Sequence, residues 1–530
     1  MEHATMKKTI RLLPITSLLL IAPFSFSASD LVQVYNDAIK SDPTYQAAKS
    51  TYLSAAETLP IARGALFPEI ALTGGSNGLG YTTKTNSTGD LATNGDATTS
   101  GKGYGLALTL SQPLFNYTFF QGYSEAKNSE KQAAATYYNA QQNLMVRVSN
   151  AYFAILMDQD VVRYTQSNVE ANKKSLDQAK QQFEVGLKTQ TDVYTSQAAY
   201  SSAVSDNVSA KNTLANDQEN LRAITGKSYK SLAKLSNNFP LAKPSPASIN
   251  DWTKVAVEHN WDLQSYHYAQ MAAMDEIKVQ FGGHMPEITL NASYGHNYTY
   301  TNDHNSEAAT GNKFANTATA SIDFNLPLFE GGIVSGQVKQ AEYDFQTAVH
   351  NMELEYRTVT TDTRQDYLNV ISGISAINAD KSSVQSNTQA LKGLQAGYKV
   401  GTQTMVDVLN QQSLLFQAQQ NYATDRYSYV DNLVSLKYDA GTLSAEDIAA
   451  INGWLGSAPA AKDKNKEQGK KLQSLSPRFK GDTPVKPVMT ISATKKDDPT
   501  PENKAEIKAK VKTKLKEKAN DSPPEAVTSE

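Results

Sequence analysis

Ser205-Asp206-Asn207 and Ser231-Leu232-Ala233-Lys234 carry the residue types of a serine acyl-transfer site, in which a hydroxyl attacks and a nearby lysine helps to move its proton. The Lys-Thr-Gly that completes such a site does not follow, and the two motifs stand in the wrong order, so both read as helix-surface residues. With no cysteine in the chain there is no thiolate nucleophile, disulfide framework or zinc–thiolate site. The 7 histidines show no metal-ligand spacing; His296 and His304 lie near a polar stretch that reads as loop. No phosphate-binding glycine loop is present. Neither an enzyme nor a cofactor or metal site is expected. Two carboxylates stand out for their matching settings, Thr189-x-x-Asp192 and Thr404-x-x-Asp407. Each reads as a capping box, where hydroxyl and carboxylate satisfy the N–H groups that the first turn of a helix leaves open.

These two sites belong to a longer internal repeat. Val185-Gly186-Leu187-Lys188-Thr189-Gln190-Thr191-Asp192-Val193 returns as Val400-Gly401-Thr402-Gln403-Thr404-Met405-Val406-Asp407-Val408, 215 positions on. Tyr152 maps to Tyr367 and Gly226 to Gly441 by the same shift. Gln112-Pro113-Leu114-Phe115 matches Leu326-Pro327-Leu328-Phe329, and Phe67-Pro68-Glu69-Ile70 matches Met285-Pro286-Glu287-Ile288. A repeat of this length means one structural unit built twice, here residues 29–247 and 248–456.

Each half reads as helix, two strands, very long helix, turn, helix. The expected helices are 30–64, 121–184 and 189–225 in the first half and 249–284, 335–399 and 404–440 in the second, with an interruption at Asp42-Pro43. Expected strands are about 66–82 and 101–115, then about 285–300 and 314–329. Tyr104, Leu106, Leu108 and Leu110 alternate with Gly105, Ala107, Thr109 and Ser111; Ala318, Ala320, Ile322 and Phe324 alternate with Thr319, Ser321, Asp323 and Asn325. Polar inserts at about 83–101 and 301–313 read as exposed loops. No apolar helix is left over to cover these strands, which fits a membrane barrel with a wet lumen. Four strands cannot close such a barrel, and a bilayer tolerates no open edge, so several protomers would have to share one. Val185-Gly186 and Val400-Gly401 end the long helices, glycine supplying the left-handed turn. Along the returning helices Val408, Leu415, Tyr422, Tyr429 and Leu436, and their counterparts Val193, Tyr200, Asn207, Leu214 and Leu221, stand seven apart, the spacing of a coiled-coil seam.

Address and charge agree with export. Lys7, Lys8 and Arg11 precede an apolar stretch from Leu12 to Phe26, with small residues around Ser25-Phe26-Ser27; residues 1–28 read as a cleaved signal peptide. Residues 457–530 hold 17 Lys+Arg, 11 Asp+Glu and 8 of the 19 prolines, and read as a disordered tail. The 30 basic and 41 acidic residues of the body leave it at −11, and no nucleic-acid partner is expected.

The two Val-Gly-x-x-x-x-x-Asp-Val turns, Phe67-Pro68-Glu69-Ile70, Pro327-Leu328-Phe329-Glu330-Gly331-Gly332 and Gly441-Thr442-Leu443 together resemble the TolC family of outer-membrane efflux proteins, over roughly residues 30–456. The resemblance implies a mostly α fold with β, assembled as a homotrimer: a 12-stranded barrel in outer-membrane lipid continuing into a 12-helix periplasmic coiled-coil tunnel. It implies an exit duct of efflux pumps or type I secretion systems, energised by an inner-membrane transporter and bridged by a periplasmic adaptor (membrane fusion) protein. The turns then form the tunnel tips, with Val185, Gly186, Leu187, Thr189, Val400, Gly401, Thr402 and Thr404 as adaptor-docking residues. Asp407 matches an acid lining the closed entrance, although the capping reading alone also accounts for it. Asn410 stands where the family has a second acid. Tyr398 and Asp192 match a pair tying inner to outer hairpin, and Gln403 replaces the expected basic residue, a role open to Lys188 or Lys399. The rival reading is a secreted filament protein of the flagellin type, also helical, cysteine-free and rich in small polar residues; the signal peptide and strand pairs argue against it.

Overall fold

The structure, a computed structural model, describes residues 28–84, 96–303 and 311–456. The expected signal segment (apart from Ala28), the tail, His304 and the centres of both polar inserts lie outside the described residues. The first half contains α1 (Leu31–Ser41), α2 (Pro43–Ala56), α3 (Thr58–Gly64), β1 (Glu69–Lys84), β2 (Asp96–Asn116), α4 (Tyr117–Glu184) and α5 (Gln190–Thr225). The second contains α6 (Ile249–His259), α7 (Trp261–Phe281), β3 (Glu287–Asp303), β4 (Gly311–Asn325), α8 (Ile333–Lys399), α9 (Met405–Asp439) and α10 (Ala445–Asn452). No described helix is long and apolar enough to cross a membrane.

Several boundaries differ from the expectation. The strands run further into the inserts, because ladder bonds are made by backbone and polar side chains do not stop them. The N-terminal helical region breaks at Asp42, as expected from Asp42-Pro43, and again at Glu57. Its repeat counterpart breaks at Asn260, which was not expected. Asp42 accepts from the Tyr45 N–H at 2.7 Å and Asn260 from the Leu263 N–H at 2.9 Å, so each break is a new helix start with its own side-chain cap. The final helix α10 was also not expected; Ser444 and Asp447 form its capping box.

The four strands make one antiparallel sheet in the order β1-β2-β3-β4. Register places Leu72, Leu108, Tyr294 and Ala318 in one row, so even-numbered residues share a face as far as the bulge at Pro113–Phe115, where β2 slips one place against β3. That face is apolar and uncovered: Ile70, Leu72, Leu106, Leu108, Ile322 and Phe324 are all exposed. Tyr104, Tyr298 and Phe314 form a row of rings across it, with 4.8 Å between neighbouring centroids. The odd-numbered face is polar, with Ser293 bonded to Thr319 and Asn291 to Asp323. β1 and β4 each have a partner on one side only.

From the sheet, α4 extends 68 residues, about 100 Å at ~1.5 Å per residue. Near the sheet it is flanked by α2, through stacked Tyr45, Tyr52 and Tyr137, and by α7, where Asp275 accepts from Ser124 and Asn128. Farther out its neighbours are α5 and α9; α8 packs likewise against α7, α6 and then α9. The shorter helices are stacked end to end. Ser41 donates to the Thr225 carbonyl at 2.7 Å, joining α1 to the end of α5. Asn260 donates to the Asp439 carbonyl at 2.9 Å, joining the α6–α7 break to the end of α9. Gly441 lies so close to this joint that a Cβ would sit 2.1 Å from the His259 carbonyl oxygen. The seam residues of α5 and α9 are all buried or half-buried.

The largest apolar core forms a belt around these joints. Leu31, Val34 and Tyr35 of α1 meet Leu144, Tyr152, Phe153 and Leu156 of α4, Tyr429, Val430 and Leu436 of α9, and Ile448 and Ile451 of α10. The inter-repeat linker is stitched in by bridges from Ser29 to Leu232 and from Leu235 to Leu455. Tyr152 donates to the Ala233 carbonyl at 2.8 Å.

Carboxyl groups are also buried between these helices. Burial, and then the facing carboxyl of Asp217, pushes Asp158 well above the usual carboxylate range. Burial, and then Asp366, does the same for Asp439. Burial, with Asp262 and Asp362 nearby, raises Glu355 to about 7. These groups hold protons in the folded chain that the unfolded chain, titrating near pH ~4, has released. Their protonated form therefore favours folding, and the helical body should lose stability as pH rises from about 4 to about 7 and beyond. Thermal unfolding of detergent-solubilised protein should show a higher midpoint at pH 5 than at pH 8. Asp439→Asn should flatten that difference.

Candidate functional site

The two hairpin tips, where α4 turns into α5 and α8 into α9, lie at the end of the long helices remote from the sheet. Each ends in a Schellman turn. At the first, the Gly186 N–H donates to the Phe183 carbonyl at 2.9 Å and the Leu187 N–H to the Gln182 carbonyl at 2.8 Å. At the second, Gly401 donates to Tyr398 at 3.2 Å and Thr402 to Gly397 at 2.9 Å. The arrangement needs a left-handed residue, and Gly186 and Gly401 have φ of +75° and +82°. Nothing lies within 4 Å of where either Cβ would be. The turns leave Val185, Leu187 and Val400 more than two-thirds exposed, at 69%, 72% and 75%.

The returning helices start with the capping boxes read from sequence. The Asp192 carboxylate accepts from the Thr189 N–H at 3.1 Å and its hydroxyl at 2.9 Å. Asp407 accepts from the Thr404 N–H at 2.9 Å and hydroxyl at 2.5 Å. The Thr404 hydroxyl, then its N–H, holds the Asp407 carboxyl below the usual range, so it stays ionised. Asn410 is exposed one helical turn beyond Asp407, on the same face. Gln403 folds its stem over Gly397.

A second set of contacts ties the hairpins together. Tyr398, only 5% exposed, donates to Gln182 at 2.7 Å rather than to Asp192, whose Oδ2 accepts from the Thr189 cap. Lys188 stands over the Tyr398 ring at 4.9 Å from its centroid, so a cation from the first tip lies where none comes from Gln403. Burial, then Asp192, raises the Tyr398 hydroxyl above its ordinary value. Farther along, Gln412 donates to Asn168 at 3.0 Å and Gln411 to Asn387 at 2.8 Å, and Asn207 reaches Thr165 across the first hairpin at 2.9 Å. Such polar seams fix helix register at some cost in stability. Gln182 and, apart from the seam residue Asn207, this amide ladder were not singled out from sequence. The one available signal was the repeat itself: Tyr398 and Gly397 occupy the positions of Phe183 and Gln182, so the halves differ just where they meet.

Comparison with known proteins places this geometry. The outer membrane efflux protein family model matches residues 34–227 and 252–442, one segment for each repeat. The chain belongs to the outer membrane efflux protein family. It is 33% identical to outer membrane protein TolC of Escherichia coli K12 over 491 residues, covering 91% of this chain and 97% of that protein. It is 25% identical to alkaline protease secretion protein AprF of Pseudomonas aeruginosa, over 86% of this chain and 94% of that one. The crystal structure of the Campylobacter jejuni CmeC outer membrane channel has the same fold, with a TM-score of 0.65 at 17% identity, covering 89% of this chain and 98% of that one. The chain is an outer-membrane protein and an exit duct, and the resemblance read from the turns is to the right family.

Glycine substitution separates tip from belt in this efflux protein. Gly401→Ala, in open space, should cost about 1 kcal/mol for the left-handed backbone alone. Gly441→Ala adds a clash with the His259 carbonyl to a φ of +67° and should cost roughly 2–4 kcal/mol. Denaturant midpoints of the two variants in detergent check the order.

Proposed function

We propose that three copies of this chain share one 12-stranded outer-membrane barrel and a 12-helix periplasmic tunnel, with the hairpin tips as its closed entrance. The open edges of β1 and β4 carry this reading, because lipid leaves unpaired strand edges unsatisfied. The apolar even-numbered face then meets lipid and the polar odd-numbered face lines the lumen. An inner-membrane transporter supplies energy and a periplasmic adaptor docks on the exposed apolar tips at Val185, Leu187 and Val400, with Gly186, Thr189, Gly401, Thr402 and Thr404 holding the turns in shape. The chain performs no catalysis and carries small molecules or proteins outward; the filament alternative finds no support in the efflux family. A monodisperse monomer extracted from outer membranes with full strand content would sink the shared barrel.

At the entrance, three copies of Asp407 form a ring of carboxylates kept ionised by their Thr404 caps. With −11 per body, about −33 for three, a narrow acidic mouth concentrates cations. Single-channel recordings should show a cation-preferring pore of low conductance, blocked by multivalent cations from the periplasmic side. Asp407→Asn should weaken the block while leaving the assembly's thermal midpoint nearly unchanged, since Asn also caps helices. Tyr398→Phe should raise conductance, because it frees the two hairpins from the Gln182 bond at a cost of about 1 kcal/mol. Loss of stability in Asp407→Asn with block intact would make Asp407 a cap and nothing more.

A further inference from the structure

A cavity of about 920 Å³ opens at the belt, between the linker at Leu232–Asn238, α4, α8 and α9. Four of its lining residues are cations, Arg163, Lys234, Lys381 and Arg426, against one acid, Asp160. That acid is already engaged: Arg163 contacts it at 2.9 Å and the Tyr427 hydroxyl donates to it at 3.0 Å. Arg426 is different from the other three. It is only 4% exposed, and its guanidinium sits among the rings of Phe239, Tyr422 and Tyr427, 5.5 to 5.9 Å from their centroids. Its Nη2 donates to the Ser236 carbonyl at 3.0 Å, and its Nε has no acceptor. It makes no ion pair among the described residues.

A buried guanidinium without a counter-ion is expensive; the aromatic faces and a backbone carbonyl offset part of that cost. The repeat does not demand it. The matching position in the first half is Lys211, which is exposed to solvent. The missing partner is therefore an anion, and the planar guanidinium, with its free donor, suits a carboxylate better than a point charge would. We propose that the belt cavity is a carboxylate-binding site, with Arg426 as its floor and Arg163, Lys234 and Lys381 as its rim. Three cations beyond the one that Asp160 balances favour a ligand with more than one carboxylate. The carboxylate comes either from a separate molecule or from the chain's own continuation, because Gly456 lines the cavity, bonded to the Lys234 carbonyl, and Asp463 and Glu467 follow 7 and 11 residues on.

Titration calorimetry with glutarate on the detergent-solubilised full chain tests the site. One glutarate per chain is expected. Lys381→Gln, at an exposed rim position that no described contact ties to the fold, should weaken binding about tenfold, or ~1.4 kcal/mol. Arg426→Gln should abolish it, with circular dichroism reporting whether the helices survive. If Asp463→Asn with Glu467→Gln tightens glutarate binding, the tail fills the site in the resting chain; if it changes nothing, the natural ligand is a separate molecule. Either result supports the site. No binding in either the full chain or the tail variant would overturn it, as would glutarate binding unaltered by Lys381→Gln.

Discussion

A backbone N–H or C=O left open to hydrocarbon costs several kcal/mol, and this chain leaves a row of them along each edge of a four-stranded sheet. That constraint organises the rest. On the proposed reading the strands do not serve a membrane protein singly, and other copies complete the barrel. Whatever closes the barrel also brings the helices beneath it into a ring. The very long helices α4 and α8 then carry the ring about 100 Å from the membrane, and the returning helices double it. Because each returning helix covers only part of its partner, a second set of helices must complete the wall, and the belt core forms where the two sets abut.

The repeat shows what one unit can do twice and where it departs. The Schellman turns and capping boxes are nearly the same at both tips, since they answer the same local demand for unsatisfied backbone groups. The contacts between the halves are not duplicated. Tyr398 is buried against Gln182, whereas its counterpart Phe183 is half exposed; Arg426 is buried in the belt, whereas Lys211 is solvated. A duplicated wall needs identical turns but complementary joints.

Much of the fold was legible because its signals are periodic. Alternation at Tyr104–Ser111 and Ala318–Asn325 set the two faces of the sheet, and the seven-residue spacing from Val408 to Leu436 set the seam. Thr189-x-x-Asp192 and Thr404-x-x-Asp407 gave the caps. What escaped was non-periodic. Asn260 breaks its helix without the proline that marks Asp42. The inter-repeat linker is held by tertiary contacts that no local pattern announces, Tyr152 with Ala233 and Tyr429 with Phe239 and Ala242, whereas the short α10 had a local signal, its Ser444-x-x-Asp447 capping box, that was not read. At the tips, the hydrogen bond expected of Tyr398 with Asp192 goes to Gln182, while Asp192 caps its own helix through Oδ2. Lys188 supplies the cation over Tyr398 from the other hairpin, a choice that sequence left open between it and Lys399.

Cross-linking at the sheet edges tests the shared barrel. The chain has no cysteine of its own, so introduced ones report alone. Within one chain β1 and β4 are separated by two strands, roughly 14 Å at ~4.8 Å per spacing, beyond the reach of a disulfide. Thr73→Cys on β1 would be combined in turn with Thr317→Cys, Thr319→Cys and Ser321→Cys on β4, and the oxidised outer-membrane protein run under denaturing conditions. At the position in register, covalent species should end at three chains, with none larger. Failure to cross-link at every position, or a ladder that runs past three, would rule out a barrel shared by three chains.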